Sequence, residues 1–147
     1  MRTIWNATDR RQLHDRLGAL RPDSARQWGS MTAPQMTAHL SDALRMALGD
    51  LPCAPKKLPI RFPPLKQLLV YWLPWPEGAP TAPELIRRMP ASWNTEVAEL
   101  VSLLERLARQ QADAPFPEHP AFGRLSRRAW GVLVYRHMDH HLRQFGV

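Results

Sequence analysis

Apolar side chains recur at helical spacing in four stretches of the chain, each flanked by residues that start or end helices. The predicted helices run from Thr8 or Asp9 to about Leu20, from Thr32 to about Leu48, from Ser92 to about Gln111, and from Ser126 to about Phe145. The second is marked best, because Thr32-Ala33-Pro34-Gln35 forms a capping box and Gly49 is a natural stop. No stretch alternates apolar and polar residues over a sustained length, so strands are expected to be absent or minor.

A Pro-rich connection, Asp50 to Pro90, separates the second and third predicted helices and holds ten of the fifteen prolines. This density of proline excludes one long helix. A helical piece around Leu65 to Trp72 is expected, and Thr81-Ala82-Pro83-Glu84 predicts a second capping box. The connection is rich in large apolar side chains, which predicts an ordered crossover that shields them from water: Phe62, Leu65, Leu69, Trp72 and Trp75.

The four predicted helices and the long crossover between the second and third indicate an all-α fold, a four-helix bundle with one long connection. A chain of 147 residues fits a single domain over residues 1–147, and at this size folding buries roughly two thirds of the unfolded surface. Hydrophobic residues make up 44% and charged residues 22%, a composition typical of globular proteins.

Charge and cysteine content narrow the classes of function. Twenty basic against thirteen acidic residues give a formal net charge of +7. The basic residues are scattered and no nucleic-acid-reading motif accompanies them, which argues against nucleic acid as a partner.

The longest apolar run, Leu68 to Trp75, is too short to span a membrane, and the N-terminus is charged where a signal peptide is apolar. The single Cys53 excludes an internal disulfide, so a reducing cytoplasm is the expected location.

Histidine occupies apolar-stripe positions in two of the predicted helices. In the second helix His39 lies on the stripe, and in the fourth His137 and His141 continue it. The spacing of four between His137 and His141 places their Cβ atoms roughly 5–6 Å apart on one helical face. The remaining candidates are expected to be peripheral or at the surface: His140, His14 and His119.

Three inward-facing imidazoles have two explanations. A buried polar group without a partner costs on the order of 1–3 kcal/mol, so each ring is either a hydrogen-bonded core residue or a ligand. A divalent cation bound by His39, His137 and His141 would use the lone pair of each neutral ring and leave a position open for water. Asp42, one turn after His39, is a candidate orienting residue or base, and an exposed helix carboxylate is the alternative.

Several runs of sequence are similar to a known family. They are Trp28-Gly29-Ser30-Met31-Thr32 with Gln35-Met36 and His39-Leu40, then His119-Pro120-Ala121-Phe122-Gly123, and then Trp130-Gly131 with the stretch from Tyr135 to Gly146. Together they resemble the domain-of-unknown-function 1569 family, which is similar to a branch of the DinB/YfiT-like superfamily of metal-dependent enzymes. The resemblance implies a DinB-like four-helix bundle and a divalent metal ion (Zn, Ni, Fe or Mn) bound by His39, His137 and His141.

The resemblance also implies a class of reaction. Better-known members of the superfamily are thiol-dependent transferases and hydrolase-like enzymes, so the expected function is metal-assisted hydrolysis or thiol transfer on a small molecule, such as a low-molecular-weight thiol. The alternative is a non-catalytic bundle that binds a small molecule, an anion or another protein. Arg124 and Arg128 are the candidate residues for a phosphate or another anion. A homodimer is a further expectation, since six tryptophans leave aromatic surface to cover.

Overall fold

Helices carry all the regular structure in a computed structural model that describes residues 1–77, 83–86 and 88–147. The elements are α1 (Ala7–Ala19), α2 (Ala33–Leu48), α3 (Leu65–Gln67) continuing as a π-helix (Leu68–Trp72), α4 (Trp93–Ala108) and α5 (Arg127–Gln144), with short 3-10 turns at Pro59–Arg61 and Pro83–Leu85. Within the described ranges no strand forms, as the sequence predicts, and β pairing is limited to one isolated bridge between His119 and Gly123. No helix among these residues is both long and apolar enough to cross a membrane.

The ends of the long helices follow the capping residues of the sequence. At α2 the Thr32 hydroxyl accepts from the Gln35 N–H, the Gln35 side chain accepts from the Thr32 N–H, and Gly49 ends the helix with φ +85°. Ser126 caps α5 as predicted. The expected start of the first helix at Thr8 or Asp9 is wrong by one or two residues, because Asn6 caps α1 and its side chain accepts from the N–H groups of Thr8 and Asp9.

The crossover is ordered by its backbone and by a few buried side chains. Val70 is buried, and the Arg136 guanidinium of α5 donates to the carbonyls of Leu69, Val70 and Leu73. The expectation that its large apolar side chains avoid water is wrong for Phe62, Leu65 and Trp72, which are 67%, 43% and 71% exposed. The predicted capping residue Thr81 lies outside the described residues.

The apolar core joins all four long helices, and its packing places α2 beside α5. Helix α2 packs along α4 and also contacts α5, which in turn contacts α1. The largest fully buried side chains come from the N-terminal segment and from each long helix: Ile4, Leu13, Leu17, Leu20, Met36, Leu40, Leu44, Leu100, Leu104, Leu107, Trp130 and Met138. Because α2 and α5 share this core, the histidine-bearing faces of both helices point into the same interior.

Gly131 is required where the N-terminal segment crosses α5. The Ile4 N–H donates to the Gly131 carbonyl at 3.1 Å, and a Cβ at position 131 would lie inside van der Waals contact of Trp5 Nε1 and Thr3 Oγ1. Gly131→Ala is therefore expected to lower the free energy of unfolding by about 1–3 kcal/mol, as overpacking does. Urea denaturation measures this loss.

The matched control is Gly18→Ala in α1. A Cβ at Gly18 would meet nothing within 4 Å, so the gain in helix propensity should stabilise the protein by about 0.5–1 kcal/mol. A neutral or stabilising Gly131→Ala would contradict the close approach of the N-terminal segment to α5.

Candidate metal centre

Helices α2 and α5 bring together the three histidines that the sequence predicts as ligands. One ring nitrogen from each of His39, His137 and His141 lies within 4.8 Å of the others. The Nε2 atoms of His39 and His137 are 2.9 Å apart. His39 and His141 are buried and His137 is partly exposed. The three rings therefore form one compact group of nitrogen donors between the two helices.

A backbone carbonyl fixes the tautomer of His39. Its Nδ1 is 3.0 Å from the carbonyl oxygen of Leu85, in the 3-10 turn that ends the crossover. A carbonyl oxygen only accepts, so Nδ1 carries the hydrogen and the neutral ring has its lone pair on Nε2. Burial lowers the pKa of His39, which keeps the ring neutral. The lone pair of Nε2 is thereby directed toward His137.

A glutamine one turn away fixes the tautomer of His141 in the same way. The Gln144 side-chain N–H donates to the Trp28 carbonyl at 2.8 Å, which orients its Oε1 toward His141 Nδ1 at 3.0 Å. His141 Nδ1 is therefore the donor, and the lone pair is on Nε2. Burial, together with the charge that His39 would carry, lowers the pKa of His141 to about 3. Burial and the neighbouring imidazoles also lower the pKa of His137 well below its usual range.

Because Gln144 orients His141, a candidate ligand, its removal should weaken metal binding while leaving the three histidines in place. For Gln144→Leu we expect zinc affinity to fall about 10- to 100-fold, the usual effect of losing an acceptor behind a ligating histidine. Competition with a chromophoric chelator measures the affinity. Gln111 is exposed, so Gln111→Leu is the control variant and should bind zinc with the wild-type affinity. Equal affinities in the two variants would contradict an orienting role for Gln144.

Asp42 is placed beside arginines. Its carboxylate is buried and accepts from Arg45 and from Arg88 Nε at 3.0 Å, while the acceptor at His39 Nδ1 is Leu85. The exposed-carboxylate alternative for Asp42 is therefore wrong, since the carboxylate is enclosed by the two guanidinium groups. Cys53 is half-buried outside the histidine cluster, and burial raises the pKa of its thiol.

The three histidines open onto a cavity of about 680 Å³. His140, expected at the edge of the stripe, is buried and lines this cavity, with its ring 4.7 Å from Trp28 and 6.0 Å from Trp75. The prediction of a peripheral His140 is wrong because its spacing of three from His137 also makes the two side chains neighbours on the helix. The spacing of three residues between His137 and His140 is the sequence signal that could have predicted this position.

His119 also lines the cavity, which makes its predicted surface position wrong. Reciprocal backbone hydrogen bonds of 2.9 and 2.8 Å join His119 and Gly123 and close a tight loop before α5. Within the loop His119 Nδ1 accepts from the N–H groups of Ala121 and Phe122 at 3.1 and 3.2 Å. Burial and the charge of Arg61 lower its pKa to about 4. A loop has no periodicity, so the sequence pattern carried no signal for this placement.

The arginines predicted to hold an anion are engaged elsewhere. Arg124 Nε pairs with Glu118 at 3.1 Å, and the Arg128 guanidinium lies 5.9 Å from the centroid of the Tyr71 ring. Neither residue lines the cavity beside the histidines. An anion held by these two residues would lie outside that cavity.

Comparison with known proteins gives one match. The model of a family described as a protein of unknown function, DUF1569, matches residues 8–146. No curated protein and no solved structure matches the chain. The match covers α2, α4 and α5, all of α1 except Ala7, and all three clustered histidines.

Proposed function

We propose that this chain, which belongs to the DUF1569 family of proteins of unknown function, is a divalent-metal-dependent enzyme acting on a small molecule. The reaction class is hydrolysis or thiol transfer, and the fold is a DinB-like four-helix bundle. The observation that carries the proposal is the convergence of His39, His137 and His141 around one point, with two of their tautomers fixed by acceptors on the far side of the rings.

The three clustered histidines fit a divalent cation of intermediate softness, such as Zn²⁺. The Leu85 carbonyl and the Gln144 amide oxygen leave unprotonated Nε2 atoms on His39 and His141, and the lowered pKa values keep the rings neutral at pH 7. Neutral imidazole suits Zn, Ni and Fe, and three protein ligands leave at least one coordination position open. An open position beside a cavity is typical of catalytic sites, whereas structural zinc sites are closed by four protein ligands.

When bound, such a cation supplies Lewis-acid chemistry, lowering the pKa of a water or thiol nucleophile towards about 7. The protein supplies position and environment. Leu85 and Gln144 fix the orientation of two imidazoles, while the indoles of Trp28 and Trp75 form a wall against His140 that limits access of water to this side. Electrostatic interactions are stronger in such a low-dielectric site than in water.

Turnover tests the proposal and separates its two reaction classes. Untagged protein loaded with Zn, Ni, Fe or Mn is assayed for hydrolysis of aryl esters and for thiol conjugation to a chlorodinitrobenzene. We expect one reaction to exceed the background and to be lost in His137→Ala, with His14→Ala as the control. If neither reaction distinguishes the wild type from His137→Ala, the enzyme proposal fails and the non-catalytic binding alternative stands.

The homodimer belongs to the same proposal. Its support is the set of exposed apolar side chains on the crossover, where a second copy would cover them: Phe62, Leu65, Trp72 and Leu73. Light scattering after size exclusion tests it. A dimer that dissociates in Trp72→Glu supports this surface, and a monomeric wild type contradicts it.

A further inference from the structure

The cavity beside the three histidines is lined mostly by apolar side chains, and its polar lining residues are mainly histidines. Of its described lining residues, Lys56 alone carries a formal charge and none is acidic. The lining includes Met31 and Met46 from the start and end of the α2 region, Leu58 and Ile60 from the crossover, and the core residue Leu133 of α5. A volume of about 680 Å³ lies in the range of sites for small organic ligands.

Such a lining disfavours cationic ligands, and it offers an anion a single formal opposite charge, Lys56, in walls whose other described residues are mostly apolar. Moving an ionised group from water into an apolar cavity is strongly unfavourable unless an opposite charge or several hydrogen-bond donors meet it. Methionine and aromatic side chains instead offer polarisable surface to an apolar body. An uncharged, largely apolar molecule fits these walls.

His119 supplies a directed polar group at this cavity. Its Nδ1 accepts two backbone N–H groups of its own loop, so Nδ1 carries no hydrogen and the neutral ring is the Nε2–H tautomer. Nε2 has no hydrogen-bond partner within residues 1–77, 83–86 and 88–147. It is therefore a donor whose tautomer is fixed by the loop, in the wall of the same cavity as the three clustered histidines.

We infer that the cavity binds an uncharged, mainly apolar organic molecule whose one polar group, a carbonyl or ether oxygen, accepts a hydrogen bond from His119 Nε2 beside the three-histidine cluster. The inference deepens the proposed function by naming the class of its substrate. The apolar walls hold the body of the molecule, and His119 sets which end lies near the metal ligands.

The probe for this inference is prodan, an uncharged naphthyl ketone whose emission shifts to the blue in apolar surroundings and to the red when its carbonyl accepts a hydrogen bond. Prodan is titrated into metal-free protein and again after one equivalent of zinc. We expect saturable binding of one molecule per chain without metal. Failure of zinc binding therefore leaves this test intact, and failure of prodan binding leaves the metal proposal intact.

Two matched substitutions locate the binding. Leu58 lines the cavity and Leu68 does not, yet both are 38% exposed. Leu58→Glu places a carboxylate in the cavity wall and should weaken prodan binding at least about tenfold, whereas Leu68→Glu should leave it unchanged. Equal affinities in the two variants, or no saturable binding to the wild type, would overturn the assignment of an apolar substrate to this cavity.

Two further substitutions test the donor. In His119→Asn the amide oxygen can replace Nδ1 as the acceptor of the loop N–H groups, but no donor remains at the position of Nε2. Prodan should bind about two- to tenfold more weakly to this variant, the effect of one hydrogen bond, and its emission should move to the blue. His119→Gln, whose amide N–H reaches the Nε2 position, should keep the wild-type emission. Unchanged affinity and emission in His119→Asn would overturn the role of His119.

Discussion

Alanine at His137 is expected to lower the zinc affinity of the protein by about two to three powers of ten. Zinc sites in small domains bind with roughly 10–16 kcal/mol, so each ligand of a tetrahedral site contributes about 2.5–4 kcal/mol. His137 is central to the cluster, because its Nε2 is 2.9 Å from that of His39 and its ring is 4.9 Å from that of His141. His39→Ala and His141→Ala should lose comparable affinity.

The control for these variants is His140→Ala. His140 lies on the same helix and lines the same cavity, but it is absent from the cluster of converging nitrogens. Chelator competition should therefore give zinc affinity near the wild-type value for this variant. Circular dichroism confirms that each variant folds. If His140→Ala weakens zinc binding as much as His137→Ala does, the ligand set has been assigned incorrectly.

Alanine at Glu96 is expected to cost about 3 kcal/mol of the free energy of unfolding, the second large effect. Glu96 lies in the first turn of α4 and is fully buried. Its carboxylate accepts from both Nη atoms of Arg88 and from the Ala91 N–H at 2.9 Å. The Arg88 guanidinium also donates to Asp42 on α2. Removing the Glu96 carboxylate leaves the half-buried Arg88 guanidinium with its bond to Asp42 but without its two bonds to Glu96, and it leaves the Ala91 N–H without this acceptor. This loss is far more costly than that of a surface ion pair.

The position of this ion pair ties it to the proposed metal centre. Arg88 lies three residues after Leu85 in the chain, and the Leu85 carbonyl orients His39. Glu96→Ala should therefore loosen the turn at Leu85 and weaken zinc binding, although residue 96 is not a ligand. The control is Asp50→Ala, which removes an exposed pair with Arg106 and should change stability by no more than about 1 kcal/mol. Urea denaturation compares the two, and equal losses would contradict the importance of the buried pair.

The sequence predicted the long helices and the three histidine positions because both depend on periodic patterns along each helix. The stripe positions of His39, His137 and His141 followed from spacings of three and four, and the capping box at Thr32 is a local signal of five residues or fewer. The ends of α1 and α4 differed from the predicted ends by up to three residues, since fraying and competing caps decide such boundaries.

What the sequence did not predict depends on contacts between distant segments. Leu85 reaches His39 across 46 residues, and Gln144 is held by the carbonyl of Trp28 across 116 residues. His119 reaches the cavity through a loop closed by backbone hydrogen bonds, for which no side-chain period exists. The outward position of Phe62 and Trp72 likewise follows from how Arg136 and Val70 fix the crossover on α5.

Elemental analysis of untagged wild-type protein tests the central claim most directly, because a polyhistidine tag would bind the same metals. The account predicts about one Zn, Ni, Fe or Mn ion per chain, as purified or after reconstitution and desalting, and none in His39→Ala prepared in parallel. A wild type that retains no metal after reconstitution, or a His39→Ala variant that retains as much as the wild type, would contradict a metal centre formed by His39, His137 and His141.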